Sequence, residues 1–240
     1  MSTIGIVVAL PAEARSVIRQ RLGFDSLREL PEGHWLAVAG AGPDRAQAAA
    51  GRLLDRKVRA LLSWGCAAAI ASHLQPGHLL LPEGILGADG QTQASDPLWR
   101  ERLARSVPAQ LTVHGGYLQE SRKVVATRQA KAALHQLTGA LAIDMESAAI
   151  ARVAASRRVP FLAVRAIADP ATMDFPNAVT HALNPRGDVR MASLLSHVVR
   201  HPSQIAALIA LGQAFGAAMR TLAQVRHAAG PGFALPASDQ

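Results

Sequence analysis

The sequence predicts a single-domain three-layer α/β/α fold, with a central mixed, mostly parallel twisted sheet. Three observations carry this. The chain has 240 residues, half of them hydrophobic, which is enough for one large buried core. Apolar runs such as Thr3–Leu10 (TIGIVVAL) lack the alternation of a half-solvated strand, as strands covered on both faces do. Strand-like and helix-like segments then alternate along the chain, the pattern of a parallel sheet with helices on both faces.

Thr3–Leu10 is the first strand. Pro11 suits the first turn of a helix, which is expected to run to about Leu22. Trp35–Ala39 is a second strand, Gly40 to Pro43 a turn, and Ala46–Leu54 a helix. Arg59–Trp64 is a strand ending at Gly65-Cys66, and Gly77–Leu81 a short one. Ser95–Arg105 is a helix, Gly115–Leu118 and Val124–Ala126 are short strands, and Arg128–Leu137 is helical. Ala140–Ile143 is a strand, Met145–Ser156 a helix and Phe161–Ala168 a strand. After Asp169 the pattern changes. Pro170–Asn184 is loop-like, and Val189–His201 and Ser203–Ala228 are helices divided by Pro202. The second carries Ile205, Leu208, Ile209, Leu211, Phe215 and Met219 near an i, i+3, i+4 stripe. The domain is expected over 1–229, with 230–240 (GPGFALPASDQ) a flexible tail.

Lys and Arg total 25 against 17 Asp and Glu, a net charge of +8. Nucleic acid is not the expected partner: aromatics are 4%, and neither a recognition motif nor a basic block is present. The arginines are spread along helices, as on a solvated surface. Apolar runs are broken before about 18 residues, so no membrane span is expected, and the N-terminus lacks the basic region of a signal peptide. Cys66 is the only cysteine, which excludes an internal disulfide and fits a reducing cytoplasm. The nine histidines show no metal-ligand spacing, so no metal is expected.

The chemistry-bearing residues gather in Ala142–Pro170 (AIDMESAAIARVAASRRVPFLAVRAIADP). Asp169 ends the apolar strand FLAVRAIA, where ligands bind in α/β sheets; it could equally cap a turn before Pro170. Asp144, Met145 and Glu146 stand at a helix mouth, where acids also suit the helix dipole. Arg165 interrupts the apolar strand, so it either pairs with a neighbouring acid or faces the site and binds an anion or a water. Glu13 lies in the first turn of its helix. Gly40-Ala41-Gly42 is a weak dinucleotide signal, because Arg45 replaces the third glycine.

These segments resemble the purine nucleoside phosphorylase and methylthioadenosine/adenosylhomocysteine nucleosidase superfamily. VRAIADPA is similar to that family's VRAISD motif, and the resemblance implies that Asp169 protonates the purine base at N7. IDMESAAIA is similar to its MEA-type motif, which implies that Glu146 binds the ribose hydroxyls and Met145 packs under the sugar. Arg165 is implied to lie near the nucleophile. IGIVVALPAEA resembles the nucleosidase opening, in which Glu13 would help activate water. The early Gly-x-Pro-x-Arg phosphate loop of the hexameric phosphorylases is not at that place. Gly65-Cys66-Ala67-Ala68 resembles the family's G-S/T-x-G turn for the nucleophile or phosphate, but Cys66 replaces the hydroxyl and Ala68 the second glycine. Trp64, the Asn184–Arg190 loop and the Ala/Leu/Arg-rich final helices resemble the hopanoid-associated phosphorylase branch. This implies release of adenine from adenosylhopane, with phosphorolysis slightly favoured and inorganic phosphate as co-substrate. A soluble, hydrolytic methylthioadenosine/adenosylhomocysteine nucleosidase and a non-catalytic nucleoside-binding protein are the alternatives. No cofactor is implied; a homo-oligomer is. Arg200, Arg220 and Arg226 beside the apolar stripe would fit a peripheral membrane contact, as well as a core or dimer interface.

Overall fold

The computed structural model describes residues 3–176, 179 and 204–236. The expected Val189–His201 helix, the Asn184–Arg190 loop and Arg200 lie outside these residues. Among the described residues, eleven strands form one mixed, mostly parallel sheet. Its centre is β4 (Ala60–Ala69), a strand whose small and apolar residues are nearly all buried. Along one edge β4 pairs in parallel with β11 (Phe161–Asp169), from Leu61↔Phe161 to Ala68↔Asp169. The other edge is shared. β1 (Ile4–Val8) takes Ala60–Ser63 in parallel, and β10 (Ala142–Asp144) takes Ala68 and Ala69 antiparallel. Trp64 to Ala67 have neither strand beside them there, and this split opens the sheet at the carboxyl ends of β1 and β11.

The remaining strands extend the two halves. β2 (Leu27–Glu29) and β3 (Trp35–Val38) continue outward from β1. Beyond β10 lie β9 (Tyr117–Glu120), β6 (Gly84–Leu86) and β7 (Thr92–Ala94), and beyond β11 lie β5 (Leu79–Leu80) and β8 (Val113–His114). On one face α2 (Pro43–Asp55) and α5 (Ser147–Ser156) pack through alanines, among them Ala46, Ala49, Ala50, Ala148 and Ala149. The other face carries α1 (Pro11–Val17) and α6 (Ile205–Ala228). α3 (Pro97–Ser106) buries Trp99 and Leu103, whereas α4 (Arg128–Thr138) buries a single residue, Lys131.

Several sequence expectations are corrected. α1 stops at Val17, because Ile18 is extended and packs with Val17 and Leu22 against the core. Val124–Ala126 is not a strand. The Gly65-Cys66-Ala67-Ala68 turn is instead the continuation of β4, held straight by the long pairing with β11. In α6 the buried stripe is Ala214, Ala218, Thr221, Leu222 and Val225; of the stripe expected, Phe215 and Met219 pack against it half-buried, whereas Ile205 and Ile209 do not. Despite its glycines and Gln213, α6 is long and apolar enough to cross a membrane, with a mean hydropathy of 1.5 over its most apolar window. Ile205 and Ile209 are exposed.

The tail is not frayed over Gly230 to Pro236. Phe233 is buried, edge-on to Trp64 with ring centroids 5.8 Å apart, and its carbonyl accepts the Trp99 Nε1–H at 2.7 Å. Arg226 lies over the same ring and pairs with Glu32, so it is not a free flanking cation. Phe233→Ala should therefore cost about 3 kcal/mol of stability, the range for a fully buried phenylalanine, measured by urea unfolding; a cost under ~1 kcal/mol would mean the tail does not seal the core.

Candidate active site

The split in the sheet frees the Cys66 N–H, which donates to Glu13 Oε1 at 2.8 Å. Glu13 Oε2 accepts from Ala9 N and Leu10 N at 3.0 and 2.9 Å, so the glutamate of the first helical turn reaches back over the end of β1. Burial pushes this carboxyl above its ordinary value, while the Cys66 N–H and the Arg165 charge work against the rise. Gly65 makes the arrangement fit: a Cβ there would lie 2.5 Å from Glu13 Oε1.

Arg165 lies beneath this carboxylate, fully enclosed on β11. Its Nε donates to Asp144 Oδ2 at 2.7 Å, and its Nη2 donates to Ser63 Oγ at 2.6 Å and Ser147 Oγ at 2.9 Å. Burial disfavours its charge, but Asp144, Glu13 and Glu146 overcome that and raise its affinity for the proton. Of the two readings left open for Arg165, the geometry shows the pairing with an acid; the guanidinium is not among the residues lining the cavity. Asp144 also accepts the Ser147 N–H at the start of α5, so one carboxylate caps a helix and neutralises an arginine.

Glu146 is buried and turned the other way. Its Oε1 accepts from Gly42 N at 2.7 Å, which places the Gly40-Ala41-Gly42 turn against the site rather than in a dinucleotide loop. Gly42 sits at φ +105°, a conformation that side chains other than glycine's rarely adopt. Burial, then the nearby Asp144, pushes the Glu146 carboxyl up to about 7. Met145 is half-buried beside it.

Asp169 closes the group. The β4–β11 register slips between Ile167 and Asp169, a local irregularity of the kind that re-aims a side chain beside a site. Burial raises its carboxyl above the ordinary range, against the lowering effect of Lys131, whose Nζ donates to Asp169 Oδ1 at 2.7 Å. Cys66 borders the site as a neutral thiol, its deprotonation opposed first by burial and then by Glu13.

All four carboxylates line one open cavity of about 570 Å³. Cys66, Ala67 and Met145 border it as well. Val124 and Val125 line it too, as irregular chain, with Phe175, Leu208, Leu211 and Phe215 forming an apolar wall. Lys123 is the one cationic lining residue among the described residues. The sequence reading missed Lys131, whose only signal was that no acid stands beside it on its own helix.

A sequence model of the phosphorylase superfamily matches residues 3–200. The chain belongs to the phosphorylase superfamily, a family of enzymes. A search of curated proteins finds no match. The fold is similar to solved nucleosidase structures. The Streptococcus pneumoniae 5'-methylthioadenosine/S-adenosylhomocysteine nucleosidase, with a transition-state inhibitor, is 20% identical with a TM-score of 0.66, over 94% of this chain and 99% of that one. The Neisseria meningitidis nucleosidase in complex with methylthio-immucillin-A is 18% identical, with a TM-score of 0.67, over 94% and 98%. The Helicobacter pylori futalosine hydrolase is 16% identical, with a TM-score of 0.66, over 93% and 97%. At these identities the likeness establishes the α/β fold.

The raised Glu146 carboxyl has a consequence for stability. Between the ordinary value of 4.5 and about 7 the folded chain holds a proton there that the unfolded chain has released. Stability therefore falls as pH rises through that window. Glu13 and Asp169 are shifted in the same direction and add to the slope. Glu146→Gln should reduce, without abolishing, the fall in Tm between pH 5 and 8 measured by scanning calorimetry; an unchanged slope would show that Glu146 is ionised throughout.

Proposed function

We propose that the protein hydrolyses the N-glycosidic bond of an adenine nucleoside bearing an apolar 5' substituent, releasing adenine. The carrying observation is one cavity with four carboxylates at its polar end and an apolar wall beside them. In this reading Asp169 donates a proton to N7 of the base, so that the C1'–N9 bonding pair leaves with neutral adenine. Glu146 accepts from the ribose hydroxyls and steadies positive charge growing on the ring, and Met145 packs under the sugar. Glu13 takes a proton from a water whose oxygen bonds to C1'. A positioned general acid of this kind contributes about 10²–10⁴ in rate.

Water is favoured over phosphate as the nucleophile because of charge. Among the described residues the polar end offers carboxylates, and Arg165 is already committed to Asp144 and two serines. A phosphate dianion there would face Glu13 and the other three carboxylates, with Lys123 the one lining cation among the described residues. Gly65, Cys66 and Ala67 contribute backbone rather than an anion-binding turn: the Cys66 N–H is already given to Glu13. No metal or organic cofactor is called for, since water is the co-reactant.

The apolar wall of Phe175, Leu208, Leu211 and Phe215 supports a long apolar substituent, and adenosylhopane, a pentacyclic lipid with an adenosyl head, is the substrate we favour. Exposed Ile205 and Ile209 on the same helix suit a peripheral contact with the inner membrane surface through which such a lipid would arrive. The second reading, a soluble methylthioadenosine/S-adenosylhomocysteine nucleosidase, is supported by fold likeness over nearly the full length of such enzymes. We carry over from the family resemblance that the chain works as a homo-oligomer.

The test incubates the purified protein with an adenosylhopane-type lipid or with methylthioadenosine, with and without inorganic phosphate, and follows adenine by chromatography. Expected is equal adenine release without phosphate, faster from the lipid, leaving a free ribosyl product. Strict dependence on phosphate, with a sugar 1-phosphate product, would make the enzyme a phosphorylase. Faster turnover of methylthioadenosine would select the second reading, and no adenine from either would leave a binding protein.

A further inference from the structure

α4 is largely exposed, with Leu134, His135 and Thr138 half-buried, yet its one buried residue is a lysine. Lys131 is 0% exposed. A buried ammonium is costly unless each of its donors is met. Lys131 has three, and all are met: Asp169 Oδ1 at 2.7 Å, the Pro170 carbonyl at 3.0 Å and the Met173 carbonyl at 2.9 Å. The same helix is pinned at its start, where the Arg128 N–H donates to Asp174 Oδ1 at 2.7 Å. The helix and the segment after β11 are thus clamped together around the end of the strand that carries Asp169.

We propose that Lys131 is a positioning residue for Asp169, holding Oδ1 so that Oδ2 meets the base, and stabilising the carboxylate left behind when its proton passes to purine N7. This rests on the hydrolase reading above. Among the described residues Oδ2 has no hydrogen-bond donor, and Asp169 lines the cavity. The donated proton ends on the purine, and the charge it leaves on Asp169 stands against the ammonium until solvent returns a proton. A carboxyl held by an ammonium that is itself fixed by two carbonyls also spares the ordering that a free carboxyl would require in the transition state.

The charges that bear on this pair are few. Asp169 faces Lys131 from β11, Asp174 from the following segment, and Arg128, on α4 itself, pairs with Asp174. Removing the ammonium therefore leaves Asp169 without its opposing charge, and its hold on the proton tightens. The basic limb of kcat/KM, where activity is lost as Asp169 deprotonates, moves to higher pH, and the transferred proton is given up less readily.

The experiment compares the parent with Lys131→Met, Lys131→Arg, Asp169→Asn and the Lys131→Met/Asp169→Asn pair, in adenine release across pH 5 to 10. For Lys131→Met we expect a basic limb displaced upward by about one pH unit or more and kcat lowered roughly tenfold, with KM within about threefold. Lys131→Arg keeps the charge and should keep the parent's limb. In the Asp169→Asn background, Lys131→Met should cost little further, because the lysine acts through the aspartate. A folded Lys131→Met with the parent's limb and kcat, or one whose cost is undiminished beside Asp169→Asn, overturns the proposal. Should Lys131→Met not fold, a displaced limb in Lys131→Arg overturns it and a retained one supports it. Failure of the parent to release adenine would instead overturn the hydrolase reading, and the parent alone reveals it.

Discussion

The Arg165–Asp144 pair is the contact on which the site depends. A guanidinium buried in the middle of β11 cannot be left alone, and the partners it finds belong to other elements: Asp144 at the end of β10, Ser63 on β4 and Ser147 at the start of α5. Those elements also carry Glu146 and the Cys66 N–H, and β11 itself ends in Asp169. The ion pair therefore fixes the floor from which the functional side chains project. Truncating one partner of such a pair typically costs 3–5 kcal/mol, because the other is left charged and enclosed. The serines matter for the same reason, since they accept from Nη2, while Nη1 donates to the Val164 carbonyl.

A second constraint is the divided edge of β4. Two strands share that edge and neither covers Trp64 to Ala67. In a closed sheet the Cys66 N–H would bond to a neighbouring strand; here it bonds to Glu13, and the opening becomes the polar end of the cavity. Gly65 is required by closeness, because any side chain there would collide with the glutamate. Ligand sites in open α/β sheets form where neighbouring strands diverge in this way. The acids stay buried because backbone N–H groups, Arg165 and, at Asp169, Lys131 replace the water they lose, and the balance still favours the proton on Glu13, Glu146 and Asp169 more than in water.

Much of this was legible in the sequence. Buried strands showed as apolar runs without alternation, and the positions of Asp144, Glu146 and Asp169 at the ends of elements marked them as neighbours. Arg165 in an apolar strand pointed either to a neighbouring acid or to a bound anion or water, and the structure shows the acid. The register did not show: β4 continues through Gly65 because of pairing with a strand about a hundred residues later, and local turn chemistry carries no trace of that. Lys131 was hidden for a similar reason. On an otherwise solvated helix it reads as one more surface lysine, and its partner is 38 residues away. Phe233 lay in a Gly- and Pro-rich stretch typical of loose ends, yet it fills a slot between Trp64 and His34.

The central claim is that Asp169 gives its proton to the departing base. Single-turnover adenine release by Asp169→Asn, set beside its affinity for a non-cleavable adenine nucleoside, tests this most directly. The account predicts at least roughly tenfold slower release with affinity within a few-fold of the parent, since asparagine keeps the shape and loses the acid. Unchanged release would contradict it, and would return Asp169 to the role of a strand-end aspartate held by a buried lysine.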